Sequence, residues 1–243
     1  MRYAILADIH SNLAALQAVF EDISAKGGVD EIWCLGDVVG YGPEPRQCIE
    51  LVKQFCSVCV AGNHDLAAIG RMELSLFNPA AAEACLWTAK QLNPVDARYL
   101  EDLPLKVERD NFLLVHGSPV EPALEYIISA SIAAKNFASF TNRFCLVGHS
   151  HIPAAYREEG DTPRTIHLTV GVGLVLRRQR LIINPGSVGQ PRDGDPRASY
   201  AIYDSEGLML RLYRVGYNIG ATQDKMMRAN LPVRLITRLE QGR

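Results

Sequence analysis

No apolar run in this chain approaches the roughly 18 uncharged positions that a membrane-crossing helix requires. The amino terminus, MRYAILADIH followed by Ser11 and Asn12, has neither the apolar core nor the small-residue cleavage site of a secretory signal, so a cytoplasmic protein is expected. An excess of either charge is also missing. The 25 Lys and Arg against 27 Asp and Glu leave a net charge of −2, which argues against a nucleic-acid or anionic-membrane binder held by bulk charge. Cysteine is sparse, six residues in 243, and most lie in apolar stretches. Cys56 and Cys59 form a lone CxxC inside SVCVA, which reads as a strand and therefore as core. There is no internal repeat and no linker long enough to separate a pair of domains. What is present is ordinary globular composition, 48% hydrophobic and 21% charged. A chain of this length buries roughly 70% or more of its unfolded surface, so it needs no metal merely to fold.

Periodicity points to an α/β core. YAILA is a short strand-like run, and after the cap residues Ser11 and Asn12 the apolar positions Leu13, Leu16, Val19, Phe20 and Ile23 recur at helical spacing. The same alternation returns with EIWCL, a helix through Ile49 and Val52, and SVCVA. Residues 66–104 differ, being rich in Ala and Leu with two Asn-Pro helix starts, and read as a helical insertion. From about residue 154 the chain turns into short β-rich runs separated by turn chemistry, expected mostly as antiparallel hairpins, with Arg177, Arg178 and Arg180 on an exposed one. A helical segment is expected from about 221 to 243. The whole, 1–243, reads as one domain.

The chemistry lies just past the strands. Asp8 and His10 follow YAILA, Asp37 follows EIWCL, Asn63 and His64 follow SVCVA, His116 follows NFLLV, and His149 and His151 follow FCLV. Five of the six histidines occupy these turns, and only His167 does not. Loops at the carboxyl ends of neighbouring strands in an α/β sheet converge on one crevice, so these residues should form one cluster. Imidazole, carboxylate and amide oxygen without thiolate suit Mn, Fe, Zn, Co or Ni better than Ca. Seven candidate ligands exceed the needs of one ion with open positions, and Asp37 or Asp8 could bridge two ions about 3.5–4 Å apart.

The series D-x-H at Asp8 and His10, G-D at Gly36 and Asp37, G-N-H-D at Gly62 to Asp65, H-G at His116 and G-H-x-H at Gly148 to His151 resembles the calcineurin-like metallophosphoesterases. The stretch Asn184 to Ile202 further resembles their small bacterial phosphodiesterase branch. The resemblance implies a four-layer α/β/β/α sandwich with two central mixed β-sheets. It implies one ion held by Asp8, His10, Asp37 and His151 and another by Asp37, Asn63, His116 and His149, manganese being the first expectation. It also implies in-line attack by a metal-bridging hydroxide on a phosphodiester or nucleotide-type substrate, with His64 as the catalytic side chain. Asp65 is expected to cap the following helix rather than orient His64.

One departure bears on substrate. Where protein phosphatases and the symmetrical dinucleoside tetraphosphatases carry an arginine after G-D, this chain has Gly40 and Tyr41. Loss of that clamp favours monoanionic diesters over dianionic monoesters. Arg192 could replace the clamp, but between turn residues it reads as a solvated loop charge. Tyr41 could stack on a base or aryl group. The alternatives are a phosphomonoesterase, a dinucleoside polyphosphate hydrolase, a protein phosphatase or a non-catalytic metal-bearing scaffold. Neither a stable nucleic-acid complex nor a membrane partner is expected, and the apolar content of 66–104 leaves a homodimer open.

Overall fold

In the computed structural model, which describes residues 1–243, short strands gather into two six-stranded mixed sheets. The first runs β3 (Val58–Cys59), β2 (Glu31–Cys34), β1 (Arg2–Leu6), β11 (Ala198–Asp204), β12 (Met209–Val215), β9 (Gly173–Val175). The second runs β4 (Lys106–Arg109), β5 (Phe112–Val115), β6 (Phe144–Leu146), β10 (Leu181–Asn184), β7 (Ala154–Arg157), β8 (Arg164–Ile166). β1, β2 and β3 are parallel, as are β5, β6 and β10; every other pairing is antiparallel. The parallel strands are nearly continuous apolar runs because both of their faces are covered.

Period-two alternation assigns those faces to three cores. Tyr3 and Ile5 of β1 pack with Trp33, Phe112, Leu114, Leu146 and Ile183 between the sheets. Ala4 and Leu6 turn outward onto α1 (Leu13–Ala25) and α2 (Pro45–Phe55) through Leu16, Val19, Ile49 and Val52. On the far side, Leu113, Cys145 and Ile182 cover α6 (Ala130–Phe137) through Ala133 and Phe137. The result is a four-layer α/β/β/α sandwich.

Residues 63–102 hold α3 (Asn63–Ala68), a 3-10 turn (Leu74–Leu76), α4 (Pro79–Gln91) and α5 (Pro94–Asp102), with no strand. The prolines open α4 and α5 behind the caps Asn78 and Asn93, whose side chains accept Ala81 N–H and Asp96 N–H. Ala81 and Ala84 of α4 join Tyr41 and residues of α7 (Ile219–Arg228) and α8 (Val233–Gln241) in a fourth apolar cluster. No helix is long and apolar enough to cross a membrane.

The β-rich half is mostly antiparallel, as expected; β10 alone lies parallel to a neighbour, β6, and so continues the parallel core. One expectation needs correction. Arg180 is not an exposed hairpin charge: its guanidinium sits 4.4 Å from the Phe140 ring centre and bonds to Glu158 and to the Asn142, Phe137 and Phe140 carbonyls. The aromatic pair Phe137 and Phe140 gives this arginine a face to stack on, which loop composition alone does not reveal.

Candidate metal centre

Both sets of parallel strands end on the same side of the sandwich. β1, β2 and β3 deliver Asp8, Asp37 and Asn63, while β5 and β6 deliver His116, His149 and His151. All are buried. The backbone bends sharply to aim them: of ten non-glycine residues with positive φ, seven are Asp8, His10, Ser11, Asp37, Tyr41, His149 and His151. Each such conformation costs of the order of 1 kcal/mol or more, and clustered strain of this kind is typical of functional sites. Gly62 is required for a different reason, because a Cβ there would lie 2.1 Å from Asp37 Oδ1.

Hydrogen bonds assign the histidine tautomers. His10 Nδ1 faces the Val39 carbonyl at 3.2 Å, His151 Nδ1 the Gln190 carbonyl at 2.6 Å, and His116 Nδ1 the Leu35 carbonyl at 2.8 Å. His149 is reversed, with Nε2 facing the Leu124 carbonyl at 3.1 Å. A carbonyl can only accept, so each of these ring nitrogens carries the proton and the other presents a lone pair.

Those lone pairs point at one another. His10 Nε2 and His151 Nε2 stand 3.1 Å apart, with Asp8 Oδ1 3.5 Å from His151 Nε2. His116 Nε2 lies 3.1 Å from both His149 Nδ1 and Asn63 Oδ1. Asp37 connects the two groups. Its Oδ1 accepts the His64 backbone N–H at 2.8 Å, while its buried Oδ2 has no hydrogen-bond donor and lies 3.6 Å from His10 Nε2 and 3.3 Å from His116 Nε2.

Acceptors converging without donors repel unless a positive charge sits among them. The acid–base properties express that demand. Burial disfavours charge on His116, yet the charges of Asp37 and Asp8 push its pKa up to about 10. Burial pushes Asp8 up to about 7, Asp37 adding to the shift and His116 opposing it. Burial disfavours charge on Asp37 too, but the surrounding histidines hold its carboxyl well below the usual range. Divalent cations satisfy the same acceptors without protons, and three groups of His and Asp are close enough to hold them: Asp8, His10 and His151; His10, Asp37 and His64; Asp37, His116 and His149.

A domain model described as the calcineurin-like phosphoesterase superfamily matches residues 1–207. The chain belongs to that superfamily. Its members depend on divalent metals, and the buried His and Asp donor set fits that requirement. The crystal structure of a metallophosphoesterase from Sphaerobacter thermophilus is similar over 100% of this chain and 99% of that one, at 48% identity and a TM-score of 0.91. An uncharacterized protein of Methanocaldococcus jannaschii, MJ0912, is 38% identical over 99% of this chain and 98% of its own length. A symmetrical bis(5'-nucleosyl)-tetraphosphatase of Haemophilus ducreyi is 29% identical over 118 residues, 46% of this chain and 43% of that enzyme.

Around the ligand-type residues, several neighbours went unread in the sequence. His64 Nδ1 lies 3.3 Å from the buried Cys85 Sγ of α4. Burial, with the charges of Asp37 and Asp65, pushes the Cys85 thiol up to about 12, so it is a neutral S–H donor and His64 keeps its proton on Nε2. Asp65 caps its helix as expected, accepting Gly62 N–H at 3.0 Å and Val39 N–H at 3.0 Å, and makes no bond to His64. Gly40 passes so close to His64 that a Cβ would lie 2.5 Å from Nδ1. Tyr126 stacks on His149 with ring centres 3.7 Å apart.

Arg192 overturns its reading as a solvated charge. It is half-buried, donates to Gln190 Oε1 at 2.9 Å and to Tyr41 Oη at 3.3 Å, and forms no ion pair. The reason is long-range: Arg192 N–H donates to the His151 carbonyl and Asn12 Nδ2 holds the Gly189 carbonyl, so this loop is laid against the strand-end turns. Cys56 and Cys59 belong to none of the possible metal groups, and all six cysteines are free.

Proposed function

We propose that this chain hydrolyses phosphoester bonds with two divalent transition-metal ions, and that phosphodiesters are its preferred substrates. The observation that carries the reading is the pair of buried acceptor-only clusters meeting at the unpartnered Oδ2 of Asp37. One ion would take Asp8, His10, Asp37 and His151, and the other Asp37, Asn63, His116 and His149. Manganese is the first expectation, ahead of Fe, Zn, Co or Ni, given nitrogen and oxygen donors without thiolate. When bound, the ions supply charge that neutralises phosphoryl oxygens and pulls the pKa of water towards neutrality. We read 1–243 as one metallophosphoesterase domain with 66–104 inserted into it.

The protein's own groups then divide the remaining work. His64 presents Nε2–H to the phosphoryl or leaving-group oxygen, supported by the Cys85 contact that takes up Nδ1. Burial pushes its pKa down to about 4, so the ring is neutral near pH 7 and acts first as a hydrogen-bond donor. Arg192, without a carboxylate partner, supplies an anion clamp held in place by Gln190 and Tyr41. With Arg192 available, the missing arginine after G-D is a weaker ground for diesters than the sequence alone provides.

The test is hydrolysis of bis-p-nitrophenyl phosphate beside p-nitrophenyl phosphate, with protein stripped by chelator and reloaded with Mn²⁺. Metal-dependent turnover favouring the diester is expected. Turnover of the monoester alone would replace the diester reading with a phosphomonoesterase. Metal binding with no turnover of these or of dinucleoside polyphosphates would leave a scaffold. The local match to tetraphosphatases supports a second reading, dinucleoside polyphosphate hydrolysis, which diadenosine tetraphosphate tests directly.

A further inference from the structure

Beside the histidine cluster, the 3-10 turn and the start of α4 leave an open cleft of about 260 Å³. Asn63, His64 and His149 form its inner wall, while Leu76, Phe77 and Tyr126 are prominent in its outer region. None of its ten lining residues is Asp, Glu, Lys or Arg. The Phe77 ring stands edge-on to His64 with centres 5.0 Å apart, and the Tyr126 ring stacks on His149. Leu76 is 60% exposed and Tyr126 43%, although both are residues whose apolar surface water disfavours. Aromatic and aliphatic walls thus begin within one ring's width of the site where a phosphorus atom would react.

We propose that this cleft is a subsite for a planar aromatic group, the aryl or nucleobase portion of the ester's alcohol. The inference rests on the phosphoester reading of the adjoining cluster. Uncharged aromatic walls favour a flat, uncharged ring over a sugar or a charged head group. The volume lies below the roughly 300–1,000 Å³ that encloses a drug-sized ligand, which matches one ring system whose phosphate is held next door. Leu76 and Phe77 come from the segment between α3 and α4 and Tyr126 from the loop between β5 and α6, so this preference belongs to segments laid over the strand ends and not to the sheets.

Binding of non-hydrolysable ligands to the Mn²⁺-loaded full chain tests the subsite without turnover. Calorimetry would compare phenylphosphonate with methylphosphonate, and the hydrolysis-resistant 5′-phosphonate analogue of adenosine 5′-phosphate with that of ribose 5-phosphate. The aromatic member of at least one pair is expected to bind about tenfold more tightly, and the pair that shows it identifies an aryl or a nucleobase occupant. Leu76→Ser and Phe77→Ala should each shrink the ratio towards one while leaving methylphosphonate unchanged. If Phe77→Ala fails to fold, the exposed Leu76 carries the test. Equal affinities within both pairs, or a preference that survives Leu76→Ser, would overturn the proposal. Selective binding by a protein that hydrolyses no ester would sink the enzymatic reading and leave the subsite standing; turnover without aromatic preference would do the reverse.

Discussion

Two concave regions of this molecule invite comparison. A groove beside the turn between β9 and β10 is larger, about 660 Å³ against about 260 Å³, and is rimmed by Arg143, Arg177 and Arg178. By size and positive charge it would be the better anion site. Yet no possible metal group touches it, and Leu208 is its sole non-glycine residue with positive φ. The histidine crevice offers less space but concentrates buried lone pairs, strained turns and an orphaned carboxylate oxygen. Exposed arginines are solvated and screened, so they cost the fold little and reveal little. Buried acceptors without donors cost the fold stability, a cost that a bound cation would offset.

The comparison breaks most directly at Asp37. Asp37→Asn removes the charge from the oxygen shared by both clusters, and turnover should fall by about three orders of magnitude or more. Metal content by elemental analysis should drop by one or both ions. A second readout needs no substrate: each ion that binds only the folded chain at a hundred times its Kd adds about 2.7 kcal/mol, which raises Tm by roughly 5–10 °C in a chain of this size. Asp37→Asn should lose that increment for each ion it no longer holds. Full metal content together with full activity would sink the bridging assignment.

His64→Ala should keep the metals and lose about 10²- to 10³-fold in rate. Leaving groups sharpen the result. If Nε2–H assists departure, poor leaving groups lose far more than nitrophenolate; equal losses place its contact on the phosphoryl oxygens. Cys85→Ala should cost less, about three- to tenfold in kcat with KM unchanged, because it frees His64 to adopt the other tautomer. Cys85→Ser restores a donor, so a serine variant no better than alanine would mean that Cys85 merely packs.

These residues differ in how far the sequence disclosed them. Asp8, Asp37, Asn63, His116, His149 and His151 follow strands at visible offsets, and the α/β core follows from strand–helix alternation, whereas the four-layer arrangement comes only with the family resemblance. Asp65 was readable as a cap because its target lies three residues away. Cys85 was not, since it meets His64 across 21 positions through the placement of α4, and an Ala-rich helix carries no mark of which face turns to the site. Arg192 and Tyr41 meet across 151 positions. Local chemistry was legible; contacts made by one layer or loop folding over another were not, and Arg180 failed for the same reason.

Arg192 tests whether a half-buried arginine at the crevice differs from exposed ones. Arg192→Ala should raise KM about tenfold with a smaller change in kcat, because one charge-assisted contact to the phosphoryl group is lost while the metals remain. Arg192→Lys should recover only some of the loss, lacking the planar fork held by Gln190 and Tyr41. Loss confined to kcat would mean that Arg192 acts on the transition state alone rather than on binding.

The smallest effect should come from the larger groove. Arg177→Ala with Arg178→Ala removes two exposed charges that form no ion pair with the rest of the chain and lie outside every possible metal group. Activity, metal content and the metal-dependent rise in Tm should all stay within about twofold or within a degree of the parent, as expected for surface substitutions away from buried features. An equal loss in this double variant and in Arg192→Ala would show that long-range positive field, rather than the contact at the crevice, draws the phosphoester in. Repeating the pair at raised salt separates the two causes, since steering is screened within about 8 Å at 0.15 M ionic strength whereas a half-buried contact is screened much less.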